Sequence, residues 1–288
     1  MEENQYLDLI KDILNNGELV EGRNGKTKCV FGRSMRFTLK DNIIPALTSK
    51  KLACKTCIKE LLWFLSGSTD NRILKQNNVK IWNDNASREY LDSIGLTERD
   101  EDDLGPVYGH QWRFFNAPYT TFDDDYTNKG FDQINYIIDQ LKNPETRTSR
   151  RLILSAWNPN QLNEMALPPC HVLAQFNVIN NKLSCALYQR SCDVGLGVPF
   201  NILSYSVLTH LIAKHCDLEP SEFVYFLGNV HIYDDHFEAL KNQLDNELYD
   251  FPTLNIKNIH KNINDYKIED FEIENYKSSE KVNMKMRK

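Results

Sequence analysis

VLAQFNVINNKLSCALYQR, residues 172–190, is an alternating pattern interrupted once. Val172, Ala174, Phe176 and Val178 recur at every second position before the interruption, and Leu183, Cys185 and Leu187 do so after it. Successive side chains on a strand point to opposite faces, so each run sets one apolar row against a core. Asn180-Asn181 tolerates the positive φ that a two-residue turn requires, and the stretch therefore reads as a β-hairpin. Continued past the apolar rows, the pairing lays Cys170 opposite Ser191 and His171 opposite Arg190. A guanidinium beside a thiol favours the thiolate, which is the nucleophilic form.

Outward from the hairpin, helix and strand signals alternate. Residues 3–15 form an amphipathic helix with Tyr6, Leu9, Ile10, Ile13 and Leu14 inward. Residues 27–39 read as a strand pair, 50–66 as a helix ended by Gly67, and 131–142 as a helix ended by Asn143-Pro144. Residues 151–156 give a further strand and 202–216 a long apolar helix, and the last stretch of chain carries weak strand alternation. Two acidic stretches, ERDEDD (98–103) and DDD (123–125), flank LGPVYGHQWR and read as solvated insertion loops within 95–130. With no repeat and no Gly/Ser linker, the expected fold is a single α/β (α+β) domain over 1–288, with a mixed central sheet flanked by helices.

The chain has 288 residues, 41% of them hydrophobic, which is enough for a sizeable core. Its longest apolar runs, Leu61–Leu65 and Phe223–Leu227, fall far short of the roughly 18 residues that cross a bilayer. The opening MEENQYLDLIKDIL is acidic and amphipathic, unlike a signal or transit peptide, so a cytoplasmic location with no membrane partner is expected. Lys and Arg number 34 against 40 Asp and Glu, a net charge of −6, which suits no generic nucleic-acid binder. The 7 cysteines suggest no disulfide framework. Cys54-x-x-Cys57 has no second pair and continues into a helical pattern, so both read as helix-facing thiols. His210/His215 and His231/His236 are five apart, off one helical face, and no metal site is expected.

Cys170 stands apart from the other six cysteines by its setting, Leu-Pro-Pro-Cys-His. Two prolines fix the backbone before it and interrupt strand pairing, placing the thiol at a rigid strand edge. A Cys-His hydrolase does not fit, because His171 adjoins Cys170 and adjacent strand residues face opposite ways.

MALPPCH (165–171), YQRSCD (188–193), LGVPFN (196–201) and HIY (231–233) together resemble the thymidylate synthase family. TSRRLILSAWNP (148–159), ELLWFLSG (60–67), KIW (80–82) and LGPVYGHQWR (104–113) lie in the matching order, and the resemblance runs from Tyr6 to Met286. It implies reductive methylation of dUMP to dTMP by 5,10-methylenetetrahydrofolate as cosubstrate, releasing dihydrofolate. It makes Cys170 the nucleophile that adds to uracil C6, with Arg190 and His171 beside it. Glu60 is then the residue organising proton transfer at O4, Tyr108 the tyrosine serving removal of the C5 proton, and Asn201 the reader of the pyrimidine edge. Arg23, Arg190 and Ser191 match phosphate ligands from one subunit. Arg150 and Arg151 match a pair donated across a homodimer whose sheets pack together. Gln189 matches a group ordering the thiol, and His231 and Tyr233 the ligands of the ribose hydroxyl. Asp193 matches a pterin ligand at the edge of the dUMP site. Ile81, Trp82, Asn85, Leu196, Gly197, Phe200 and Met286 resemble the folate walls, and the tail at 277–288 resembles a closing segment. The tail ends MKMRK where the family usually ends in two small apolar residues, and Asn229 stands where an Asp usually precedes HxY. Two alternatives stay open: a folate-dependent pyrimidine hydroxymethylase, against which Asn201 argues, and an inactive nucleotide-binding homologue.

Overall fold

The computed structural model describes residues 1–22 and 24–287. The first half of the chain carries α1 (Asn4–Asn16), β1 (Glu18–Gly22), β2 (Gly25–Thr38), α2 (Cys54–Leu65), α3 (Asn71–Gln76), α4 (Arg88–Ser93), α5 (Tyr108–Phe114) and α6 (Gln133–Lys142). The second half carries β3 (Ile153–Ser155), β4 (His171–Ile179), β5 (Lys182–Asp193), α7 (Gly197–His215), β6 (Glu219–Tyr233), α8 (Phe237–Gln243), β7 (Thr253–Ile256) and β8 (Phe271–Glu274).

Six strands form one sheet in the order β1-β2-β6-β5-β4-β3, and β7 and β8 form a separate pair. Every neighbour in the large sheet is antiparallel except β5 and β6. Two parallel strands need a crossover, and α7 supplies it. That helix is buried along almost its whole length, so the apolar run that marks it is also the centre of the core. It starts at Gly197, five residues ahead of the expected 202. Pro199 does not prevent this, because the first turn of a helix has no use for its missing N–H. Asp132 caps α6 by accepting from Asn135 N, and Gly67, at φ 79, ends the α2 segment.

The hairpin forms as read. Asn180 and Asn181 take φ 50 and 62, and pairing runs in step from Val178↔Leu183 to Leu173↔Tyr188. At Val172 the strand bulges, and beyond it His171 pairs with Gln189. Arg190 N then donates to Cys170 O at 2.9 Å, so Cys170 lies against Arg190 where simple continuation had put Ser191. A second correction concerns 27–39, where residues 27–38 belong to one 14-residue strand and no strand pair forms. Gly32, at φ 71, kinks that strand between Phe31↔Asn229 and Arg33↔Leu227 without reversing it. A third concerns the acidic loops. Asp123 to Asp125 are exposed, but Asp103 is buried and holds Tyr119 Oη at 2.5 Å, Gly105 N at 2.8 Å and Phe122 N at 3.2 Å. It ties the loop to the turn that leads into Tyr108.

One face of the large sheet packs on α7 and α1. On the other, Phe226, Tyr188 and Leu173 stand in register across three strands and are 47%, 40% and 37% exposed. No helix of the described residues is long and apolar enough to cross a membrane.

Candidate active site

The C-terminal ends of β5 and β6, the start of α7, α2, α5 and the tail enclose a cavity of about 800 Å³. Cys170, Glu60, Tyr108, His171, Gln189, Arg190, Ser191, Asp193 and Asn201 all line it. So do His231, Tyr233, Ile81, Trp82, Asn85, Leu196, Gly197, Phe200 and Met286.

The thiol is set by its neighbours' backbone contacts. Tyr108 Oη accepts from Cys170 N at 2.7 Å and from His171 N at 3.3 Å. Arg190 Nε and Nη2 donate to the carbonyls of Pro169 and Pro168 at 2.8 and 2.9 Å, and the guanidinium lies over the Trp157 ring at 5.4 Å. The sequence expectation was a thiol pulled below its ordinary range. Here burial pushes the Cys170 thiol up, Arg190 pulls it down, Asp193 pushes it up again, and the net direction is upward.

Glu60 reaches the cavity from α2 and is buried. Its Oε1 accepts from Trp82 Nε1 at 2.8 Å, and burial holds the carboxyl at about 7. Asn201 Nδ2 lies 2.6 Å from His171 Nε2. Burial pushes His171 down to about 3, so the ring is neutral, and with the amide donating it carries its proton on Nδ1. The amide oxygen of Asn201 is left for the cavity. Asp193 Oδ1 accepts from Gly195 N at 2.9 Å and Leu196 N at 3.4 Å, turning the chain into α7. On the far wall His231 Nδ1 bonds Asn229 Oδ1 at 2.9 Å, and the His231 and Tyr233 rings meet edge to face at 5.3 Å. The amide of Asn229 thus takes the position expected for an acid.

The tail crosses the mouth. Lys285 O accepts from His236 Nε2 at 2.8 Å, and Arg287 pairs with Asp234 at 3.2 Å and Asp235 at 3.0 Å. Met284 and Met286 face the cavity from it.

Arg150 and Arg151 are not brought to this cavity; both are exposed just before β3. Arg23 lies outside the described residues. Thr27 and Cys29 of β2 were missed by the sequence reading, although both line the cavity. Their register partners are Tyr233 and His231, so the alternation of HIY was the signal that could have found them. Among the described residues no three His, Cys, Asp or Glu side chains converge as a metal site.

A thiol, a tyrosine, an uncharged histidine, a carboxyl poised near neutrality and an amide around one apolar-walled cavity are groups able to support nucleophilic chemistry on a bound ligand. In comparison with known proteins, residues 4–288 match the thymidylate synthase family, and the chain belongs to it. It is 51% identical to the thymidylate synthase of Saccharomyces cerevisiae, over 99% of this chain and 97% of that one. It is 53% identical to a bifunctional dihydrofolate reductase-thymidylate synthase of Paramecium tetraurelia, over 99% of this chain and 61% of that one. With the bifunctional protein of Plasmodium berghei the identity is 50%, over 99% and 48%. The chain therefore spans about half to three-fifths of the bifunctional relatives it matches.

Proposed function

We propose that the chain methylates dUMP to dTMP, with 5,10-methylenetetrahydrofolate supplying both the one-carbon unit and the hydride and leaving as dihydrofolate. The observation that carries this reading is the meeting of Cys170, Tyr108, Glu60 and Asn201 in one cavity. Cys170 adds to uracil C6, which makes C5 an enolate carbon able to take the methylene. The amide of Asn201 reads the pyrimidine edge, and its free oxygen suits an N3–H donor. That polarity favours uracil over the cytosine a hydroxymethylase of this kind would use. A carboxyl near 7 can both give and take a proton at O4, which suits Glu60 to that role. Tyr108 serves removal of the C5 proton. Arg190 and Ser191, with Arg23, hold the phosphate, while His231 and Tyr233 hold the ribose and Gln189 orders the thiol. Trp82, Ile81, Leu196, Gly197 and Phe200 wall the folate, Asp193 bonds its pterin, and Asn85 and Met286 border it. The tail at 277–288 covers the bound pair.

The remaining phosphate donors come from a second copy. Phe226, Tyr188 and Leu173 form an uncovered apolar row, and Ile153, 43% exposed, stands on the same face of β3 one pair further along, opposite Gln175. Pairing two such faces buries both rows and removes the edge-facing apolar patch from water. Arg150 and Arg151, exposed at the head of that same β3 edge, then reach the partner's cavity. The whole chain acts as one domain in a homodimer.

Incubation with dUMP and methylenetetrahydrofolate, followed by dihydrofolate absorbance, tests the activity. A flat trace with dUMP refutes it.

A further inference from the structure

Residues 281–284, 286 and 287 line the cavity, although the tail that carries them belongs to no helix or strand. Among the described residues, its last backbone-to-backbone bonds are Ser279 N to Thr48 O at 2.8 Å and Lys51 N to Glu280 O at 3.4 Å. Beyond them the tail is held by the three residues of the turn after β6, Asp234, Asp235 and His236. The buried His236 ring donates from Nε2 to Lys285 O at 2.8 Å, since a carbonyl can only accept. Arg287 Nη2 lies 3.2 Å from Asp234 Oδ1 and 3.0 Å from Asp235 Oδ1, and Nε donates to Asp235 Oδ1 at 3.3 Å. Between these two anchors the tail runs close to Gly195. A Cβ there would come within 3.1 Å of Met284 Sδ and 2.8 Å of His236 Nδ1, so the tail seats against a position that has no side chain.

The side chains of Arg287, Asp234 and Asp235 are 32%, 44% and 36% exposed, so salt in solution can reach and weaken their pairing. One guanidinium shared by two carboxylates still ties the far end of the tail to the strand that carries His231 and Tyr233. We propose that Arg287 is a positioning residue whose ion pairs with Asp234 and Asp235 latch the tail to the turn after β6, so that Met284 and Met286 stay in place as a wall of the cavity. The proposal rests on the reading that this wall covers the folate.

Trypsin cleavage of the Lys285–Met286 bond in the folded protein reads the latch, because His236 holds the carbonyl of that bond and cleavage requires the tail to come away. Each rate, scored by mass spectrometry, is divided by that of a free peptide with the same tail sequence. The ratio removes any effect of the substitution or of salt on trypsin itself. Arg287→Ala should raise it by about threefold to tenfold, the scale of one or two half-exposed ion pairs. Asp234→Asn with Asp235→Asn should do the same, and adding Arg287→Ala to that pair should do no more. Going from about 0.05 to about 0.5 M salt should loosen the wild-type tail and leave Arg287→Ala unmoved. In the active enzyme the KM for methylenetetrahydrofolate should rise in Arg287→Ala by a similar factor, with a smaller change in kcat. Equal ratios in the wild type and Arg287→Ala, or a full Arg287→Ala effect without the two aspartates, overturns the proposal. So does an unmoved folate KM beside a loosened tail. Proteolysis needs no turnover, so failure to make dTMP would refute the proposed activity while the latch is still tested.

Discussion

Glu60→Gln offers a stability test with a worked magnitude. Burial, opposed only by the Trp82 hydrogen bond, lifts the Glu60 carboxyl from 4.5 to about 7. A carboxyl raised on folding prefers the protonated native state. Its contribution is fully present below the unfolded value near 4.5 and is lost as pH rises through 7. At about 1.4 kcal/mol per pH unit, ionised Glu60 costs the native state about 3 kcal/mol above that range. Glutamine removes the titration while keeping the shape. Between pH 5 and pH 8.5 the variant should therefore gain about 2.5 kcal/mol on the wild type. Urea unfolding at both pH values, at one fixed protein concentration because the chain is proposed to dimerise, measures it. Dihydrofolate production should fall in the same variant, because an amide cannot exchange the O4 proton. A stability difference that is the same at both pH values would mean that Glu60 is solvated or paired, and would remove the physical basis for its role.

Cys170→Ser should abolish turnover while dUMP binding persists, and 5-fluoro-dUMP with folate should form an adduct on wild-type Cys170 alone; mass spectrometry finding it on Cys192 or Cys29 reverses the assignment. Arg151→Ala and Cys170→Ser chains, unfolded and refolded together, should recover activity, since one mixed site has both residues intact. No recovery in proven mixed dimers would return the arginines to their own subunit. Asn201→Asp should lower kcat/KM for dUMP by on the order of 10²–10³ and make dCMP a detectable substrate. Near-normal dUMP turnover would mean that Asn201 does not read the base.

The hairpin was legible because alternation and turn chemistry agree, and both are local. Its slip at Val172 was not, since a bulge depends on what β3 and the two prolines do beside it. Asp103 looked like its neighbours in an acidic run, and only the fold brings Tyr119, Phe122 and Gly105 to it. The shift of the Cys170 thiol was misjudged because a neighbouring cation is visible in sequence and the depth of a cavity is not. Most site residues were reachable through motifs that carry a resemblance. Thr27 and Cys29 carried no motif of their own, and it is their pairing with the HIY segment that brings them to the cavity.

The two N–H groups that converge on Tyr108 restrict what its hydroxyl can do. Cys170 N and His171 N both donate to the phenolic oxygen, at 2.7 and 3.3 Å. Two donors already point at that oxygen, and burial keeps the phenol from ionising. With the oxygen engaged by donors, the O–H is the part of the hydroxyl free to act in the cavity. In the proposed reaction, a proton leaving C5 would then pass to a water molecule oriented by this O–H, and Tyr108→Phe should slow that step by disordering the water.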